Sequence, residues 1–229
     1  MQPLVVLVLV LLVAIGGYLA WKREQERRAA LESLASSLGF QFEHEDNDSH
    51  DDEYSQFEIF RRGHSRTAKY TMRGRIELFG KPCDVCAGDF RYKVTSGSGK
   101  NRSTRTYLFS YLIVQPPWPA PALLVRPEGF FDKVKGALGF DDIDFESEEF
   151  NRRFWVQSND KRFAYDVLHP RMMEFLLAQL GSAIDLEGGA MCVSDGNSRW
   201  EPEEFRAQLD FVRRFCDLWP RHLLVDLAT

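Results

Sequence analysis

The sequence has few of the patterns that mark an enzyme or a nucleic-acid binder. It contains no Gly-x-Ser-x-Gly motif, which excludes the nucleophile elbow of the α/β-hydrolases. The 229 residues carry a formal net charge of −5, which argues against a dedicated nucleic-acid-binding protein. Four cysteines are too few for a dense disulfide framework and suit a reducing compartment, where thiols stay free. No internal repeat is present.

Metal-binding motifs are incomplete as well. Cys83-Asp84-Val85-Cys86 is a CxxC motif, the first candidate for a redox pair or for half a zinc site. A zinc site needs four ligands, and no second CxxC or paired histidine supplies the other two. On a strand, an offset of three residues points the two thiols to opposite faces, which favours ordinary buried cysteines. We therefore expect no cofactor and no metal, with Cys83 and Cys86 as weak candidates.

Two other segments invite a ligand-binding interpretation. The acidic segment 43–53 lacks the glycine and the final glutamate of a calcium-binding loop, so residues 43–56 are predicted to be a solvated loop. The glycine-rich string 97–100 fails the Walker pattern, because Asn101 follows Lys100 in place of serine or threonine. We interpret residues 95–104 as a hairpin loop with a cationic tip.

A long apolar run is the strongest signal that is present. Residues 4–21 carry no charge, and Lys22 and Arg23 follow at once. Helix over this length spans roughly 27 Å, close to the hydrocarbon thickness of a bilayer. Residues 1–21 are therefore predicted to be a transmembrane anchor. A cleaved signal peptide and a buried core helix are the alternatives.

The charges that flank this run predict its orientation. Lys22, Arg23, Arg27 and Arg28 all follow the run, and no cation precedes it. The positive-inside rule then places the protein in the cell inner membrane as a single-pass protein with a cytoplasmic C-terminal domain.

The helix is predicted to continue over residues 22–38 as a juxtamembrane segment. Its apolar stripe consists of Leu31, Leu34, Ala35 and Leu38. Such a stripe packs on a domain, and Gly39 is a natural stop for the helix.

Residues 39–229 predict an α+β domain in which helices pack on a mainly antiparallel sheet. Apolar residues alternate with polar ones at Ala68, Tyr70 and Met72, and again over 90–94 and 107–113, which implies strands with one buried face. The stiff string PPWPAP breaks the sheet pattern, so the domain could divide near 116–122. Further predicted elements are a helix over 127–138, a helix from Pro170 to Leu180, a hairpin over 184–194 and a last helix from Pro202.

The charge distribution singles out a basic stretch between Arg61 and Arg105. It holds twelve lysines and arginines against three acidic residues. In one interpretation this face turns toward anionic lipid headgroups, and the loop residues Lys100, Arg102 and Arg105 are its candidate binding residues. In the other, the cations are the solvent face of the sheet and pair with acidic loops.

Three strings are distinctive as a set: GHSRTAKYTMRGR, GDFRYKVTSGSGKNRSTRTYLF, and the long string from LLVRPEGFF to RMMEFLL. Together they resemble an uncharacterised bacterial family of small, single-pass membrane-anchored proteins, over about residues 57–185. The resemblance implies a bacterial membrane protein. The family has no assigned activity, so no catalytic residue is carried over.

These observations favour a membrane-tethered, non-enzymatic module at the cytoplasmic face, with the membrane as one partner and no nucleic acid. It would bind a protein partner or anionic lipid headgroups. The alternative is a membrane-anchored hydrolase that uses carboxylates or His64, which requires His64 to meet acids or cysteines in a pocket.

Overall fold

The computed structural model describes residues 3–128, 142–179 and 181–228, apart from the side chains of Pro3, Leu4, Lys100 and Ala228. The helices are α1 (Pro3–Leu38), α2 (His50–Glu53), α3 (Glu148–Arg153), α4 (Lys161–Val167), α5 (Pro170–Ala178), α6 (Pro202–Asp217) and α7 (Arg221–Ala228). The strands are β1 (Gln41–Phe42), β2 (His64–Leu78), β3 (Lys81–Ser96), β4 (Ser103–Gln115), β5 (Leu123–Pro127), β6 (Phe154–Ser158), β7 (Ala183–Glu187) and β8 (Ala190–Ser194).

The strands form one eight-stranded sheet in the order β1-β2-β3-β4-β8-β7-β5-β6. Every pair of neighbouring strands in it is antiparallel. A long apolar N-terminal helix followed by this sheet and its helices confirms the α+β prediction. The strands on either side of residues 116–122, β4 and β5, belong to the same sheet.

Helix α1 is unbroken from the apolar run into the juxtamembrane segment. Its most apolar window has a mean hydropathy of 2.3, and none of that window is buried. By length and composition the helix can cross a membrane, although a signal sequence meets the same criterion. The full exposure of the apolar window contradicts the core-helix alternative.

The C-terminal half of α1 packs on the sheet as its stripe predicts. Leu31, Leu34 and Ala35 are buried, and Leu38 packs against the same core. Gly39 ends the helix with a φ of 70°. The amide of Phe40 then donates to the carbonyl of Ala35 at 2.8 Å. This 6→1 bond is typical of the Schellman motif and confirms Gly39 as the stop.

The centre of the sheet is buried on both faces, so the prediction of one buried face was wrong. One face carries Val85 and Ala87 of β3 in a core with α1 and α6. The other face carries Phe90, Phe109 and Tyr111 in a second, aromatic core. Tyr54, Phe57 and Phe60 cover this second face from α2 and from the 3-10 turn Glu58–Arg61.

A β-bulge in β2 explains a second error. The register between β2 and β3 shifts between Lys69 and Met72, and Tyr70 has a φ of 54°. A bulge inserts one residue, so the side chains after it exchange faces. Ala68 therefore joins the aromatic core while Met72 joins the other core, and the predicted common face was wrong. The bulge also turns Tyr70 toward α1.

The predicted loop over 43–56 is only partly irregular. It contains α2, and Asn47 forms an isolated antiparallel bridge with Ala68. The helix predicted over 127–138 lies outside the described residues from position 129 onward, and its predicted first residue, Pro127, is instead the last residue of β5. The predicted hairpin over 184–194 is confirmed as β7 and β8, with Gly188 and Gly189 in the turn at φ values of 60° and 78°.

Candidate functional site

A buried ion pair joins helix α1 to the middle of the sheet. Arg27 of α1 donates from Nε to Oδ2 of Asp89 at 2.7 Å and from Nη2 to Oδ1 at 2.8 Å. Asp89 also accepts from the hydroxyl of Ser110 at 2.6 Å, and Arg27 donates to the carbonyl of Trp200 at 3.0 Å. The Asp89 side chain is fully buried, so its charge depends on these donors.

A second contact lies one helical turn closer to the apolar run. Glu24 accepts from the hydroxyl of Tyr70 at 2.8 Å and from Arg199 at 3.0 Å. Burial raises the pKa of Glu24, but the bonds from Tyr70 and Arg199 outweigh it and lower the pKa overall. Glu24 follows Lys22 by about 3 Å of helix rise. The folded domain therefore begins where the apolar run ends.

The basic stretch is largely neutralised by carboxylates in its first half. Arg66 meets Asp51 at 2.7 Å, and Lys69 meets Asp46 at 3.4 Å. Farther along β2, the ion pairs are Arg73 with Glu43 and Glu53, and Arg75 with Asp84. For Arg66, Lys69 and Arg73, these contacts support the interpretation in which the cations pair with acidic loops, whereas Arg75 pairs with the neighbouring strand β3.

The second half of the stretch is different, and it holds the predicted binding residues. Arg102 and Arg105 are exposed at the end of the β3–β4 hairpin. Neither forms an ion pair with a described residue, and the Arg105 guanidinium lies 5.3 Å from the centre of the Tyr107 ring. The backbone of Lys100 forms part of a 3-10 turn, while its side chain lies outside the described structure. A binding role for these residues stays a prediction.

A cleft of about 600 Å³ opens beside β2 and β3, at the end of the domain where α1 stops. Arg73 lies in its wall and is held by Glu43 at 2.7 Å, by Glu53 at 3.0 Å and by the Tyr54 hydroxyl at 3.3 Å. The lining residues are Gly39, Gln41, Glu53, Tyr54, Arg73, Gly74, Arg75, Asp84, Val85, Cys86, Ile113 and Gln115.

The groups in this cleft are suited to binding and not to nucleophilic chemistry. Burial raises the pKa of the Cys86 thiol to about 11, so it is protonated at neutral pH. Burial likewise raises the pKa of the Tyr54 hydroxyl far above its usual value. Although burial raises the pKa of Glu53, hydrogen bonds from Arg73 lower it overall. The cleft thus presents fixed charges over the apolar side chains of Val85 and Ile113.

The structure separates the two cysteines of the CxxC motif. Cys83 lies in the core with α1 and α6, whereas Cys86 lies in the aromatic core on the opposite face. This confirms the strand argument. Within the described ranges, no group of three or more His, Cys, Asp or Glu side chains can hold a metal ion.

His64 is not brought together with acids or thiols in the part of the chain that is described. Its ring contacts the hydroxyls of Ser65 at 3.1 Å and Thr95 at 2.9 Å, at an exposed position. The convergence that the hydrolase alternative requires is therefore missing among the described residues.

The sequence argument also missed the buried His50 and the half-buried Asp185. His50 is fully buried against Tyr54, Phe60 and Tyr111, and burial lowers its pKa to about 3. The aromatic residues Tyr54, Phe57 and Phe60, spaced three apart, were the sequence signal that this segment packs against the sheet. Asp185 of β7 has one buried carboxylate oxygen without a partner in the described structure, and burial raises its pKa to about 8.

No family model and no curated protein matches the chain. Among solved structures it is similar to the crystal structure of the mycobacterial trehalose monomycolate transport factor A, TtfA. In fold, the chain resembles TtfA. The TM-score is 0.58 at 16% sequence identity, over 83% of this chain and 93% of that chain. At this identity the likeness establishes the fold alone, and no residue role transfers from it.

Proposed function

We propose that this chain is a membrane-tethered, non-enzymatic accessory module that holds a protein partner at the cytoplasmic face of the inner membrane. The observation that carries the proposal is the buried pair between Arg27 and Asp89. With the Glu24 contacts, it fixes the domain directly to the end of the apolar helix. A domain held in one orientation presents the same surface at the same height above the bilayer.

The structural neighbour adds support of a weaker kind. TtfA is named a transport factor, and no catalytic activity is part of that name. The likeness in fold supports a similar role for this chain but identifies no cargo. The cytoplasmic orientation in the proposal rests on the four cations that follow the apolar run.

The cleft beside β2 and β3 is the surface we propose for the protein partner. Gly39, at its edge, lies about 25 Å of helix rise beyond Lys22, so the cleft is far from the end of the apolar run. Arg73 and Arg75, in its wall, are of a residue type that carries binding energy at interfaces. Arg73 is already held by carboxylates, so little rotamer freedom would be lost on binding.

Site-specific photo-crosslinking in intact cells tests this proposal. A photoreactive residue at Gln115, in the cleft wall, should yield a discrete adduct with one protein. The matched control is the same residue at Arg162, an exposed position on α4. We expect Arg73→Met to reduce the Gln115 adduct about tenfold, because it removes a charged anchor. Equal adduct patterns at Gln115 and Arg162, or an adduct that Arg73→Met leaves unchanged, would contradict the proposal.

A further inference from the structure

We infer that the end of the β3–β4 hairpin, residues 93–105, lies on the bilayer surface beside the anchor and binds anionic lipid headgroups. The inference rests on the tethering in the proposed function, but not on its protein partner. It is carried by the direction of the strands, by their length and by the distribution of unpaired charge.

The strand direction follows from two contacts along α1. Near the start of the juxtamembrane segment, Glu24 meets Tyr70 of β2. At the end of the helix, Phe40 packs directly over Gly74 of β2. Strand β2 therefore runs in the same general direction as α1, away from the bilayer. Since β3 is antiparallel to β2, it runs back toward the anchor and turns there into β4.

The strand length brings the hairpin to the level of the headgroups. From Asp89, the partner of Arg27, β3 continues for six residues to Thr95, or about 20 Å. Going back along α1 from Arg27, the end of the apolar run at Trp21 lies about 9 Å away. Even if α1 crosses the strands at about 45°, those 20 Å project to about 14 Å along the helix. The hairpin turn after Thr95 thus reaches the membrane–water interface.

The charge on this hairpin is positive and without acidic neighbours in sequence. No aspartate or glutamate occurs between Asp89 and Glu128. Lys93, Arg102 and Arg105 form no ion pair with a described residue, in contrast to the paired arginines of β2. Cations that are unpaired at a membrane surface attract anionic headgroups, and the attraction decays within a Debye length.

The composition of the tip favours lipid headgroups over a protein as the ligand. Residues 95–106, TSGSGKNRSTRT, contain no aliphatic or aromatic side chain. The residues that dominate protein interfaces are Trp, Tyr and Arg side chains surrounded by packed contacts that exclude water. The arginines of this segment have only small polar residues beside them in sequence, so the segment itself provides no such packing. Hydroxyls, glycine amides and arginines are instead groups that donate hydrogen bonds to phosphate oxygens. Val94, just before the tip, is 39% exposed and can rest against the interface.

The test uses the full-length protein with a fluorophore at Ser98→Cys, reconstituted in vesicles that contain a lipid with a nitroxide on its headgroup. All four native cysteines are buried, so labelling is selective for the new thiol. The matched control carries the fluorophore at Ser36→Cys, an exposed position near the far end of α1. We expect quenching at residue 98 that grows when phosphatidylglycerol replaces phosphatidylcholine and falls with salt, and none at residue 36.

Charge variants complete the test. Arg102→Gln and Arg105→Gln should each lower the apparent affinity for phosphatidylglycerol about fivefold, since one cation near the surface contributes on the order of 1 kcal/mol. Equal quenching at residues 98 and 36 would overturn the inference. So would quenching at residue 98 that changes neither with the content of anionic lipid nor with substitution of the two arginines. So would arginine variants that keep the quenching but lose the Gln115 adduct, because the hairpin would then bind the protein partner. If no Gln115 adduct forms in the protein with both arginines intact, while the lipid-dependent quenching at residue 98 is observed, only the proposed protein partner is contradicted.

Discussion

Arg27 and Asp89 are 62 positions apart in the chain, yet they form a two-point ion pair inside the domain. Arg27 belongs to the helix that continues the apolar run, and Asp89 lies in the middle of β3. Burial lowers the pKa of Arg27, but Asp89 outweighs it and raises the pKa overall. Arg27 therefore stays charged, and its pair with Asp89 links the helix of the apolar run to the sheet.

Removing the cation of this pair is expected to destabilise the domain strongly. Arg27→Ala removes both bonds of the ion pair and leaves the buried Asp89 carboxylate with only the Ser110 hydroxyl and the half-buried Arg199, 4.0 Å away. Breaking a buried pair in this way costs about 3–5 kcal/mol of unfolding free energy. The double variant Arg27→Met/Asp89→Leu should recover most of that loss, because no buried charge remains. Urea unfolding of the full chain in detergent, followed by tryptophan fluorescence, measures both values.

The control for this experiment is Arg28→Ala. Arg28 is adjacent in sequence, but its contact with His44 is exposed. Its loss should change the unfolding free energy by less than about 0.5 kcal/mol. If Arg27→Ala and Arg28→Ala cost the same, the clamp between helix and sheet does not contribute as argued.

Gly74 is predicted to be intolerant of any side chain. A Cβ atom at this position would overlap the ring of Phe40, which lies against the β2 backbone. We expect Gly74→Ala to destabilise the domain by about 1–3 kcal/mol and to loosen the end of α1. Thermal unfolding and proteolysis within residues 39–43 would report it. Gly16→Ala, where no atom lies within 4 Å of the added carbon, should change neither, and equal effects of both changes would refute the packing argument.

Asp185 is expected to make the protein less stable as the pH rises. Its folded-state pKa of about 8 lies above the value of about 3.8 for an unfolded aspartate. Between these values the folded state binds more protons than the unfolded state, so stability falls as pH increases from about 4 to 8. The groups that face it are Glu187, Glu58 and Arg61.

Asp185→Asn removes this titration and should therefore stabilise the protein, with the larger gain at the higher pH. We expect a gain of about 2 kcal/mol at pH 8 and a smaller one at pH 5. Thermal unfolding at the two pH values measures it. A gain of the same size at both would show that the carboxyl titrates normally. Glu187→Gln, at a neighbouring half-buried position, is the comparison for a general effect of removing a charge.

The thiols are predicted to be unreactive in the folded protein. All four cysteines are buried, and burial raises the pKa values of Cys86, Cys192 and Cys216. A thiol reagent such as dithionitrobenzoate should find no reactive group at pH 7.5 until denaturant is added. The variant His64→Cys, at an exposed position, should add one thiol that reacts at once. Rapid reaction of two native thiols would contradict this prediction and would support a redox role for the CxxC motif.

The local features of this protein follow from the sequence because local physics governs them. An uncharged run of bilayer length specifies the apolar helix, and a stripe with a 3.6-residue period specifies the face that α1 buries. The period-2 strands and the Gly188-Gly189 turn are likewise properties of neighbouring residues. The separation of Cys83 from Cys86 also follows from strand geometry alone.

Only the tertiary structure decided which residues meet across long distances in the chain. The bulge at Tyr70 exchanges the faces of β2 along its length. No local sequence pattern predicts it, because the contact that it allows, between Tyr70 and Glu24, joins residues far apart in the chain. His50 reads as polar in sequence, yet it is buried because aromatic rings from three elements close around it. Which cations pair with the acidic loop, and which remain unpaired on the hairpin, depends on the register of β2 and β3, and a count of charges contains no register.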